Sequence, residues 1–141
     1  MLDLEPTIVA LDIGSRRIGV AIASKEVGLP SPLKTVINEG DIVGHLSELF
    51  TEHNAIAVVA GLPRGLDGQH TAQTASVEAF VDKLRQHVKL PIYLQDEALT
   101  SVQAEEELTS RGKPYSKADI DALAATYILG DFLQDHLKEL Q

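Results

Sequence analysis

Three acidic residues, Asp12, Glu97 and Asp121, fall where carboxylates could do chemistry. Asp12 sits in Ile8-Val9-Ala10-Leu11-Asp12-Ile13-Gly14-Ser15-Arg16-Arg17-Ile18-Gly19-Val20, where apolar, β-branched runs flank a short polar turn. That pattern reads as a hairpin between two core strands. A carboxylate at the end of an apolar strand is costly to bury unless a cation or hydrogen bonds compensate it. Gly14 leaves room for a ligand to approach the main chain. Ser15, Arg16 and Arg17 offer donors suited to a phosphate. The stretch is a metal-binding carboxylate beside a phosphate-binding turn, or a hairpin whose Asp caps its own turn.

Glu97 follows an apolar run over residues 91–95, and Asp121 falls in the first turns of the last helical pattern. In an open α/β sheet, sites form outside the carboxyl ends of the strands. Asp12 and Glu97 could meet there if their strands are near neighbours. Asp121 shares a helical face with Ala124, Ala125 and Ile128, and so small a face would let its helix press close to the sheet. Three carboxylates together repel one another unless a divalent cation lies among them. Hard oxygen donors without Cys or a His pair suit Mg²⁺ or Mn²⁺. Two such ions about 4 Å apart can promote phosphodiester hydrolysis. Each acid also has an ordinary reading. Asp121 could favour the positive end of its helix, and Glu97 could serve a turn with Asp96, either of which could face a metal.

The elements that must position these acids follow from periodicity. A turn over 28–32 precedes a third short strand over 33–37. Asp41 is a plausible N-cap for a helix to about 53. The run 55–60 has the composition of a strand buried on both faces, and 61–68 reads as a Gly- and Pro-rich loop. A helix over 71–87, a fifth strand from 91, a helix from Thr100 with capping-box form, a break at 111–115 and a final helix from Ser116 complete the pattern. These predict a single α/β domain over 1–141. Its five-stranded mixed sheet would have the first three strands antiparallel, the later ones parallel, and helices on both faces.

The composition bounds what such a domain can be. There is no cysteine, hence no disulfide, thiolate nucleophile or sulfur-ligated zinc. No apolar run is long enough to span a membrane, and the start lacks signal-peptide form, so a cytoplasmic protein without membrane partners is expected. A net charge of −9 disfavours passive nucleic-acid binding through counterion release, but not a metal-dependent enzyme. Arg64 in the Gly-rich loop could contact a phosphate. Arg111, Lys113 and Lys117 cluster around Tyr115 in an acid-poor break suited to a nucleic-acid backbone, or to a solvated loop. The five histidines show no ligand spacing; only His70 lies near the proposed site.

Four ordered blocks carry a family resemblance: residues 12–21 (Asp-Ile-Gly-Ser-Arg-Arg-Ile-Gly-Val-Ala), Gly61-Leu62-Pro63 with Asp67-Gly68, Asp96-Glu97-Ala98-Leu99-Thr100, and Asp121-Ala122-Leu123-Ala124-Ala125. Together they resemble the YqgF family of pre-16S rRNA nucleases, also called Holliday junction resolvases, over nearly the whole chain. The resemblance implies a ribonuclease H-like fold and a cytoplasmic nuclease that helps mature the 5′ end of 16S rRNA. It implies Asp12, Glu97 and Asp121 as metal-binding and catalytic acids. Gly14, Ser15 and Arg17 would position the phosphate. The family pattern has an Arg after the Asp-Glu pair, where this chain has Ala98; Arg64 or Arg16 could take over its contact. The expected partners are pre-16S rRNA, with the small ribosomal subunit precursor, for a monomer or homodimer. Rival readings are a dimeric DNA junction resolvase, a non-catalytic ribosome-assembly factor, and half of an actin-like nucleotide-binding fold, which this length does not favour.

Overall fold

A computed structural model describes residues 5–97 and 100–140. Ala98 lies outside them, as do the side chains of residues 100–102 on which the capping-box reading rests. The chain runs β1 (Thr7–Ile13), β2 (Arg17–Ser24), β3 (Ser31–Ile37), α1 (Ile42–Glu52), β4 (Ala55–Pro63), α2 (Ala72–His87), β5 (Ile92–Glu97), α3 (Thr100–Ser110) and α4 (Lys117–Leu140). The five strands form one sheet in the order β3-β2-β1-β4-β5. β1–β2 and β2–β3 are antiparallel; β1–β4 and β4–β5 are parallel. This is the mixed sheet expected from the sequence.

Strand alternation sends successive side chains to opposite faces. Val9, Leu11 and Ile13 of β1 join a core with Leu46 and Phe50 of α1 and Val77, Val81 and Leu84 of α2. Ile8 and Ala10 join a second core with Ala125, Ile128, Leu129 and Phe132 of α4. The α4 side is built from small residues, Ala21 and Ala23 of β2 and Ala57 of β4, so the long helix lies close across the sheet. Asp12 shares the Ala10 face and therefore points to the side α4 covers.

Three strand boundaries differ from the sequence reading, and one of them puts Glu97 inside β5 rather than after it. β4 continues through Gly61 and Leu62 to Pro63, because β5 pairs alongside it as far as Pro63 with Glu97. β3 begins at Ser31, so Pro32 belongs to an edge strand, where its missing N–H leaves no inner ladder bond unmade. Asp41 caps α1, its side chain accepting from the Gly44 N–H at 3.2 Å. Thr71 and Thr74 cap α2 reciprocally.

Candidate active site

Two glycines flank Asp12, and they let the other acids approach it. On one side, Asp12 pairs with Gly19 of β2. A methyl group on Gly19 would collide with the Asp121 carbonyl oxygen, so the backbone of α4 rests directly on β2 at this point. On the other side, Leu11 pairs with Ala60 of β4, so Gly61 follows beside Asp12. A methyl group on Gly61 would lie 2.9 Å from the Glu97 carboxyl carbon and 2.5 Å from Ile128 Cδ1. The Glu97 side chain thus leans back over β4, although β4 separates β5 from β1. Sequence reasoning missed both roles. Gly19 has no role of its own in the sequence reading, and Gly61 is read there as the start of a loop; a glycine on a buried strand face is itself a signal of close approach.

The charge on Asp12 is expensive here. Burial, then repulsion from Glu97, then repulsion from Asp121 raise its pKa from 3.8 to about 8. Asp12 is not the cap of its own turn in these contacts. The turn closes through backbone, with the Gly14 N–H donating to the Arg17 carbonyl at 2.9 Å. Asn38, at the end of β3, braces it by donating from Nδ2 to the Gly14 carbonyl at 2.9 Å, and from its N–H to the Arg16 carbonyl. Gly14 is needed for tightness and not for a left-handed backbone: a Cβ there would stand 2.7 Å from the Arg17 carbonyl oxygen.

Asp121 has a partner already. Arg17 Nε donates to its Oδ2 at 2.6 Å, across 104 residues of sequence. Among the described residues, no three His, Asp or Glu side chains are gathered tightly enough to hold a metal ion as they stand. The donor chemistry nonetheless fits a hard divalent cation: carboxylate oxygens only, around a half-buried carboxyl that two other acids repel. A cation beside Asp12 would compete with Arg17 for this Asp121 carboxylate.

The remaining candidates lie further out. Ser15 and Arg16 are exposed at the turn. Arg64 Nε pairs with Asp96 Oδ1 at 3.3 Å, leaving Glu97 as the member of the Asp-Glu pair that acts on Asp12. His70 pairs with Glu78 at 2.6 Å on α2. Lys113 and Lys117 are exposed around the α3–α4 break.

A family model described as RuvX, Holliday junction resolvase, matches residues 6–135. The chain is 41% identical over 133 residues to a Chloroflexus aggregans protein named "Putative pre-16S rRNA nuclease", covering 92% of this chain and 94% of that one. It is 40% identical over 127 residues to a Rickettsia typhi protein of the same name, covering 86% and 81%. Among solved structures it resembles Thermus thermophilus RuvC in complex with a Holliday junction substrate, with a TM-score of 0.54 at 15% identity over 92% of this chain and 95% of that one. It also resembles the fowlpox virus resolvase bound to Holliday junction DNA, with a TM-score of 0.53 at 14% identity over 95% and 98%. At such identities the likeness establishes the fold, the ribonuclease H-like sheet of these resolvases.

Proposed function

The chain belongs to the RuvX family, described as Holliday junction resolvases, and on that premise we propose that it is a divalent-metal-dependent nuclease maturing the 5′ end of pre-16S rRNA in the cytoplasm. One observation carries the mechanistic part: a half-buried Asp12 at the carboxyl end of β1, pressed by Glu97 and Asp121 through a backbone stripped of side chains at Gly19 and Gly61. Such a cluster is costly alone and favourable around a cation. Asp12, Glu97 and Asp121 would hold Mg²⁺ or Mn²⁺. When bound, such ions stabilise the attacking and leaving oxygens of an in-line phosphodiester displacement. Gly14 and Ser15 would present the turn to the scissile phosphate, with Arg16 beside them. Arg17 would leave Asp121 for a phosphate oxygen, exchanging one anionic partner for another. Arg64, Lys113 and Lys117 would hold flanking phosphates.

The test is cleavage of an end-labelled precursor 16S leader RNA in Mg²⁺, Mn²⁺ or EDTA. Wild type and Asp12→Asn are compared, with a four-way DNA junction as competitor. We expect RNA cleavage that needs metal and disappears in Asp12→Asn. The family's description favours a second reading, in which the junction is the substrate; cleavage of the junction alone would establish it. Equal RNA binding by both proteins with no cleavage would leave a non-catalytic assembly factor.

A further inference from the structure

We propose that the pocket between β3, the α3–α4 break and the first turns of α4 receives an unpaired nucleobase of the bound strand, stacked against Tyr115, with Arg111 and Lys113 on its phosphate. This rests on the reading of the chain as a nucleic-acid enzyme. The cavity measures about 340 Å³, within the range of small-ligand sites. Pro32, Leu108, Pro114 and Leu123 supply apolar walls, and Arg111, Lys113 and Tyr115 line it with them. An aromatic ring between apolar walls, with cations at hand, is how single-stranded bases are held.

The ring is available and oriented. Tyr115 is 37% exposed, and its hydroxyl shares a 2.9 Å hydrogen bond with Thr109 Oγ1. Glu107 accepts from Arg111 at 3.2 Å and from the Tyr127 hydroxyl at 2.9 Å, which ties the end of α3 to α4 and holds Arg111 at the rim. Lys113 pairs with no carboxylate among the described residues. The pocket's one acid, Asp119, is engaged as a cap: its Oδ2 accepts from the Ser116 N–H at 2.8 Å. Residues 111–117 contain three cations and no acid, in a chain of net charge −9.

Position completes the case. Asp119 and Ala122 line the pocket, and Asp121 lies between them in sequence on the same turns of α4. A helix is about 10 Å across. A strand whose scissile phosphate faced Asp12 would therefore carry a near neighbour of the cut over this pocket.

The chain contains no tryptophan, so Tyr115→Trp places a single reporter in the pocket. It would be titrated in EDTA, where no cleavage is expected, with a short oligoadenylate and with duplex RNA. We expect saturable quenching by the single strand only, weakened at least about fivefold when Arg111 and Lys113 are both alanine. Tyr115→Ala should weaken single-strand binding about 5- to 100-fold, and Tyr115→Phe should restore it. Equal quenching by duplex, silent emission while the RNA binds by anisotropy, or no binding without metal would each overturn the proposal. Silent emission in a protein that cuts leader RNA would remove the pocket alone. Quenching in a protein that cuts nothing would remove the nuclease reading and leave the pocket.

Discussion

Asp12 makes stability respond to pH in a direction opposite to most carboxylates. Its folded pKa of about 8 lies above the 3.8 of the free group. The native state therefore holds a proton that the unfolded chain has already lost, and stability falls as pH rises from about 4 to 8. Asp12→Asn should be nearly neutral below about pH 3, where the carboxyl is protonated in both states. Near pH 8 it should stabilise the metal-free protein by about 1–3 kcal/mol, several degrees in thermal unfolding. Unchanged stability at both values would mean the carboxylate is compensated by other means. Arg17 gives a second prediction. Its pair with Asp121 is partly exposed and worth about 1 kcal/mol. Arg17→Ala should therefore tighten Mn²⁺ binding about fivefold by calorimetry.

At the level of elements, the site depends on how closely α4 lies on the sheet. Gly19→Ala drives a methyl group into helix backbone, which cannot swing aside. It should cost at least about 1–3 kcal/mol by denaturant unfolding and lower activity with it. Gly61→Ala meets only the ends of Glu97 and Ile128, which can turn away. It should cost less in stability while still displacing Glu97 and impairing cleavage. The strands, their parallel and antiparallel pairing, and the helix patterns were legible in the sequence, because alternation and 3.6-residue spacing are local. Asp12 and Asp121 stood out because an acid inside an apolar pattern is unusual. The Arg17–Asp121 pair could not be read, since it joins residues 104 apart through tertiary packing. Nor did the approach of Glu97 over Gly61 leave a mark, because it depends on which strand lies between β1 and β5.

For the molecule as a whole, a charge of −9 and a cluster of acids at the sheet end weaken the hold on a polyanion at that end until cations intervene. Divalent ions should therefore strengthen RNA binding even where they screen surface charge. We expect leader-RNA anisotropy to show tighter binding by Asp121→Asn, in which cleavage is expected to be lost, in millimolar Mn²⁺ than in EDTA at matched ionic strength; the reverse order would indicate binding through exposed lysines and arginines alone. The path of α4 has a consequence in time as well as in space. Asp12 lies on the first strand made and Glu97 on the last, while Asp121 arrives on a helix translated after every strand of the sheet. At about 5–20 residues per second, a nascent chain spends seconds with its sheet synthesised and Asp121, the third acid of the proposed site, still missing. A molecule proposed to cut ribosomal RNA is thus incomplete while the sheet's strands are being made on a ribosome.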